Sequence, residues 1–229
     1  MLQWIVLKSR TAEYAKIAMY RKLPNQLTVL RLAVAAIFFL TLNQYRYPSP
    51  SWVLWTAMGF FIFAMLTDIA DGYLARRWEV ESTFGRIMDP FVDKVIVIGA
   101  FIYLSGPRFV DPHAVEAGSF FNMVSGVYPW MVAVVLAREL LVTGIRGEME
   151  SRGVQFGAKL FGKLKTLVQS IVVPFILGIV ALDPNRPGRE WTKFVRDPMI
   201  YTMVVVTVLS GWPYIRAATR AMKHGRTLT

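Results

Sequence analysis

Four aspartates, Asp68, Asp71, Asp89 and Asp93, stand in stretches that are otherwise apolar. Asp68 and Asp71 are three residues apart, and Asp89 and Asp93 four apart, so each pair projects from one face of a helix. If the two helices pack side by side, four carboxylates converge on one point. An aspartate in the middle of a membrane span costs about 2.5–3.5 kcal/mol even on a lenient insertion scale, and like charges repel one another besides. The cluster therefore requires protonated carboxyls or bound cations. Carboxylate oxygens without His or Cys suit hard ions such as Mg²⁺, Mn²⁺ or Ca²⁺. Two such ions bridged by carboxylates clamp the attacking and leaving oxygens of an in-line phosphoryl displacement.

The residues between the aspartates fit that chemistry. Gly72 and Ala75 leave room for a flat group close to the backbone, Gly85 does the same from the facing helix, and Arg76 can meet a diphosphate bidentately. Small residues also let helices approach one another without binding anything, so Gly72 and Ala75 by themselves leave both readings open. Further basic residues recur at membrane depth or its edge: Arg31, Arg138, Arg146, Lys163 and Lys165. Each alone could neutralise the aspartates or Glu139, or snorkel to headgroups. Their number favours an anionic acceptor, such as a sugar or glycerol phosphate, held beside the aspartates.

The elements that must position these groups are membrane helices. Of 229 residues 55% are hydrophobic and 14% aromatic, above the roughly 45–50% apolar content of soluble domains. Apolar stretches at about 28–42, 51–74, 84–104, 127–147, 160–182 and 198–215 predict six spans. The fold class is thus an all-α integral membrane protein. Residues 1–22 alternate apolar side chains with Lys8, Arg10, Lys16, Arg21 and Lys22, a pattern for an amphipathic helix lying at the interface. Residues 23–229 form the six-helix domain. The net charge of +11 reflects basic residues flanking spans, which anionic lipid and the positive-inside rule both favour, rather than a nucleic-acid surface. Few basic residues fall in the connections on the other side, among them Arg46, Arg108, Arg186, Arg189 and Lys193, so both termini and the Asp-rich ends are expected in the cytoplasm. Cysteine is absent, which excludes disulfides and thiolate metal sites. His113 and His224 lie in a loop and in the basic tail.

The stretch from Asp68 to Asp93 reads D-x2-D-G-x2-A-R-x8-G-x3-D-x3-D without deviation, and so resembles the signature of the CDP-alcohol phosphotransferases. The resemblance implies a six-helix membrane fold, a homodimer, two Mg²⁺ or Mn²⁺ ions and a cytosol-facing cavity. It makes Asp68, Asp71 and Asp89 metal ligands, Asp93 a ligand that is also the general base, and Gly72, Ala75, Arg76 and Gly85 the holders of the CDP moiety. An acceptor hydroxyl would then attack the β-phosphorus of the CDP-alcohol and release CMP. The segments PNQLTVLRL (24–32), ARELLVTGIR (137–146) and GKLKT (162–166) are similar to the branch of that family that makes phosphatidylglycerol phosphate. That branch uses CDP-diacylglycerol and glycerol 3-phosphate at the cytoplasmic membrane of bacteria. It implies that Asn25 and Thr28 lie near the nucleotide, with Arg138, Arg146, Lys163 and Lys165 as candidates for the acceptor phosphate.

Two rivals stay in view. A phosphatidylinositol-phosphate or phosphatidylserine synthase would keep the aspartates and change the basic pocket. A cation transporter would use the carboxylates as ion sites without chemistry, but it has no need of Gly72, Ala75, Arg76 and Gly85, and no inverted repeat is visible. A catalytically dead relative would not need all four aspartates.

Overall fold

The computed structural model describes residues 26–49, 51–78, 83–151, 159–183, 185, 187–189 and 191–225; for 71, 73–87, 89, 90, 159–164, 166 and 221–225 it describes the backbone alone. The expected interfacial helix over 1–22 and Asn25 lie outside the described residues. The regular structure among them is helical, apart from one isolated bridge between Val110 and Met123. The helices are α1 (Gln26–Gln44), α2 (Trp52–Trp78), α3 (Thr83–Leu104), α4 (Pro112–Glu116), α5 (Pro129–Ser151), α6 (Lys159–Ala181), α7 (Trp191–Leu209) and α8 (Trp212–Gly225). Short α4 sits in the connection between α3 and α5.

Burial follows helical spacing. Val34, Phe38 and Leu42 of α1, Leu54, Ala57, Phe61 and Ala64 of α2, and Ile96, Ala100 and Leu104 of α3 recur at three- or four-residue intervals and meet in one core, each stripe facing the bundle. Phe38 packs on Phe61, and Phe39 stacks on Tyr103 with ring centroids 5.4 Å apart. Gly99 allows that approach, since a Cβ there would run into the ring of Phe39. The core continues through Val172, Ile176 and Val180 of α6 and Ile200, Met203 and Val204 of α7. Helix α6 packs on both α2 and α7, while α5 packs on α3, α7 and α8.

The outward faces are apolar too. Leu40, Ile62, Phe63, Leu66, Val205, Val208 and Leu209 are all exposed, and a helix apolar all round belongs in hydrocarbon. Three stretches are long and apolar enough to cross a membrane: Gln26–Gln44, Trp52–Ala70 and Trp191–Arg220. The chain is therefore a membrane protein. Helices α3 and α5 carry several charged residues each, Asp89, Asp93 and Lys94 in the one and Arg138, Glu139 and Arg146 in the other.

The sixth expected stretch is placed differently. Its helix begins at Trp191 rather than Pro198, keeps Pro198 in its interior and ends at Leu209. Proline deletes one ladder hydrogen bond without having to end the helix, and membrane helices accommodate that when their neighbours hold them. Thr192 secures the start, its hydroxyl donating to the Arg189 carbonyl at 2.7 Å. After Ser210 and Gly211 the chain turns into the separate helix α8.

The ends of the bundle differ in chemistry. At the starts of α2, α5 and α7, Trp52, Trp130 and Trp191 are exposed, as in the aromatic belt of a membrane interface. There the Tyr47 hydroxyl donates to Asp183 at 3.1 Å, and Asn185 Nδ2 donates to Tyr47 at 3.3 Å and to Asp111 at 2.6 Å. These bonds tie together three connections. The aspartates lie at the other end.

Candidate active site

The site grows out of the same apolar stripes. In α2 the buried sequence Phe61, Ala64 continues one turn on to Asp68, and in α3 Asp93 precedes buried Val97 by one turn. Helix α1 does likewise, placing Arg31 one turn before Val34 and Ala35. Three helices thus end their core stripes in charged side chains directed at one another.

Arg31 is completely buried. Its Nη1 lies 2.6 Å from Asp68 Oδ1 and donates to Asp93 Oδ1 at 3.0 Å. One cationic nitrogen therefore joins carboxylates of two different helices. The Asp68 and Asp93 side chains are about one-third exposed (36% and 33%). Thr28, one turn before Arg31 on the same face, is buried as well. Asp71 and Gly72 occupy the next turn of α2, and Asp89 the preceding turn of α3. The side chains of Asp71, Ala75, Arg76, Asp89 and Lys163, and all but the backbone at Gly85, lie outside the described residues.

A second charged cluster joins α5, α6 and α7. Glu139, buried at 6% exposure, accepts from Arg138 Nη1 at 3.1 Å and from the Lys165 ammonium. Arg138 Nη2 donates to Ser210 Oγ at 2.8 Å, and its buried Nε has no hydrogen-bond partner. The break at Gly211 helps, because a Cβ there would approach Arg138 Cγ to 3.5 Å. Nearby, Lys94 donates to Thr143 at 2.8 Å, linking α3 to α5. Arg146 donates to the Tyr214 hydroxyl at 2.9 Å and lies over that ring. Below these polar contacts Gln169 donates to Thr207 at 3.2 Å.

The structure thus unites Asp68 and Asp93, and separately Arg138 and Lys165, as the sequence suggests. It directs Arg31 to the aspartates and Arg146 to α8. Lys94, Thr143, Ser210 and Tyr214 had no assigned role. Their signal was faint, since polar residues in apolar stretches are noticed only when charged or regularly spaced. Lys94 was visible beside Asp93, and Glu139 stood out as an acid within the fourth expected span.

A cavity of about 540 Å³ lies at the opposite end, lined by Asn122, Tyr128, Asn185, Lys193, Arg196 and neighbours. It contains none of the expected site residues. Arg196 there is committed to Asp197 and to the Val124 carbonyl.

Comparison with known proteins identifies the family. A family model described as CDP-alcohol phosphatidyltransferase matches residues 21–210. The CDP-diacylglycerol–glycerol-3-phosphate 3-phosphatidyltransferase of Bacillus subtilis (strain 168) is 30% identical, over 88% of this chain and 97% of that protein. The protein of the same name from Cereibacter sphaeroides is 29% identical over the same shares. A probable phosphatidylglycerophosphate synthase of Mycobacterium tuberculosis is 32% identical, over 92% of this chain and 88% of its own. With the family model spanning most of its length, the chain belongs to the CDP-alcohol phosphatidyltransferase family.

Proposed function

We propose that the protein transfers the phosphatidyl group of CDP-diacylglycerol to glycerol 3-phosphate, forming phosphatidylglycerol phosphate and CMP. The observation that carries this reading is the meeting of Asp68 and Asp93 around one cationic nitrogen, beside a cluster in which Lys94, Arg138, Arg146 and Lys165 outnumber Glu139. The first arrangement fits hard cations and the second an anionic acceptor. The names of the relatives supply both substrates.

Asp93 takes the proton of the attacking glycerol 3-phosphate hydroxyl, whose oxygen bonds to the β-phosphorus while the bond to CMP breaks. Arg138 and Lys165 hold the acceptor phosphate, with Lys163 and Arg146 at its margin. Glu139 keeps the first two cations apart from the catalytic carboxylates and pre-oriented, and Arg138 Nε remains a spare donor for an anion. Gly72, Ala75, Arg76, Gly85, Asn25 and Thr28 hold the CDP group. The all-oxygen donors of Asp68, Asp71, Asp89 and Asp93 suit two Mg²⁺ or Mn²⁺ ions, which when bound would neutralise the diphosphate and acidify the attacking hydroxyl.

The long helices α1, α2, α3, α5, α6 and α7 are six membrane spans in this reading. The excess of Lys and Arg at the aspartate end supports cytoplasmic termini and a cytoplasmic-membrane location. The homodimer rests on the family resemblance alone.

The test is to incubate purified protein with CDP-diacylglycerol and Mg²⁺ and offer glycerol 3-phosphate, inositol phosphate or serine, identifying the lipid formed. Phosphatidylglycerol phosphate alone supports the assignment. A different lipid moves the chain to another branch, and ion flux in vesicles without any lipid product moves it to a transporter.

A further inference from the structure

We infer that Ser210 is a positioning residue for the acceptor phosphate: its hydroxyl, fixed as an acceptor by the break between α7 and α8, holds the Arg138 guanidinium in the orientation that meets the anion. This rests on the reading of Arg138 as a ligand of that phosphate. Glu139 does not orient Arg138 by itself. It receives Arg138 Nη1 and the Lys165 ammonium on the same oxygen, Oε1, and a guanidinium held at one nitrogen can still swing about that contact. The second anchor comes from another helix, where Ser210 Oγ accepts from Nη2 at 2.8 Å. Two nitrogens of one planar group, held from α5 and from the end of α7, define its plane.

The break dictates the direction of the hydroxyl. In an unbroken helix the Gly211 amide would bond to the Thr207 carbonyl, four residues back. Here it bonds to the Val208 carbonyl at 3.0 Å, and the Ser210 hydroxyl donates to Thr207 instead, at 2.7 Å. Serine has one proton to donate. With that proton spent on Thr207, the oxygen can only accept from Arg138. Ser210 is 2% exposed, so bulk water does not compete for either bond. Gly211 completes the arrangement, since a Cβ there would stand 3.2 Å from the Val208 carbonyl and 3.5 Å from Cγ of the Arg138 stem. A hydroxyl also suits the task electrically. Being neutral, it orients the cation without cancelling the charge that the phosphate needs, as a second carboxylate would.

The experiment uses the full chain in detergent with Mg²⁺, measuring kcat and the KM values for glycerol 3-phosphate and CDP-diacylglycerol, with thermal unfolding to show that each variant is folded. Ser210→Ala should raise the KM for glycerol 3-phosphate about fivefold, the worth of one hydrogen bond. The kcat and the KM for CDP-diacylglycerol should change by less than about twofold. Ser210→Thr, which keeps the hydroxyl, should restore most of the parent KM. In an Arg138→Lys background, which already lacks the bond, Ser210→Ala should add less than about twofold. Gly211→Ala crowds the Arg138 stem, should act in the same direction, and serves if Ser210→Ala does not fold. An unchanged KM for glycerol 3-phosphate in the folded variant overturns the inference. So does an equal rise in the KM for CDP-diacylglycerol, or a full fivefold effect of Ser210→Ala on top of Arg138→Lys. If the parent forms phosphatidylglycerol phosphate and the variants match it, this inference alone falls. If the parent forms none from glycerol 3-phosphate, the functional reading falls and takes this inference with it.

Discussion

Glu139→Gln keeps the shape of a buried side chain and removes one charge. In the folded protein this carboxylate, 6% exposed, faces Arg138 and Lys165, which are 8% and 7% exposed. Without it, two buried cations face each other with no counter-charge between them. Breaking a buried pair by removing one partner costs about 3–5 kcal/mol. Arg138 retains its 2.8 Å bond to Ser210, and the amide oxygen of Gln still accepts one hydrogen bond, which sets the loss near about 3 kcal/mol. For a chain of this size each kcal/mol moves the thermal midpoint by about 2–4 °C, so a fall of roughly 6–12 °C is expected. The assay is thermal unfolding in detergent, followed by tryptophan fluorescence. The double variant Glu139→Gln with Lys165→Met should regain part of the loss, because it removes one stranded cation. An unchanged midpoint for the single variant, or a double variant less stable than the single, would refute the claim that Glu139 is the counter-charge of this cluster.

Three other outcomes follow from the geometry. Arg138→Lys forfeits the bond to Ser210 and the spare Nε donor, and the KM for glycerol 3-phosphate should rise by about tenfold, one charge-assisted hydrogen bond, with a smaller change in kcat. Gly99→Ala pushes α3 against Phe39 and should cost about 1–3 kcal/mol in chemical denaturation, relieved by Phe39→Leu. Burial chiefly, with Asp183 adding and Asn185 opposing, raises the Tyr47 hydroxyl from 10.0 to about 12. A hydroxyl whose folded value is raised contributes stability that is intact below pH 10 and lost as pH climbs from there to about 12. Alkaline unfolding of Tyr47→Phe should therefore be less steep over that interval, though not flat, since burial raises Tyr45 as well.

The helices were legible because apolar length is a strong signal, and the long helices lie over the expected stretches. The exception was the last, where Pro198 read as a beginning. A proline forbids one hydrogen bond but says nothing about the residues before it, and here Trp191 to Asp197 were already helical. The aspartates were legible because charge in an apolar stretch needs a reason, and their three- and four-residue spacing named the shared face. Arg31 was harder. Its type suggested an anionic partner but could not distinguish a bound phosphate from Asp68 and Asp93, since that choice depends on how α1 docks against α2 and α3. The same limit held for Arg146, whose partner Tyr214 lies on a helix created by the turn at Ser210 and Gly211. Neutral hydroxyls such as Thr143 and Ser210 carry no sequence signal of their own and become meaningful only when a cation faces them.

The most direct test of the account is CMP release from CDP-diacylglycerol with Mg²⁺ and glycerol 3-phosphate, comparing the parent with Asp93→Asn and with EDTA. CMP formed by the parent, dependent on the acceptor and lost in both comparisons while the variant stays folded, is the predicted result. Undiminished CMP release from folded Asp93→Asn would contradict it.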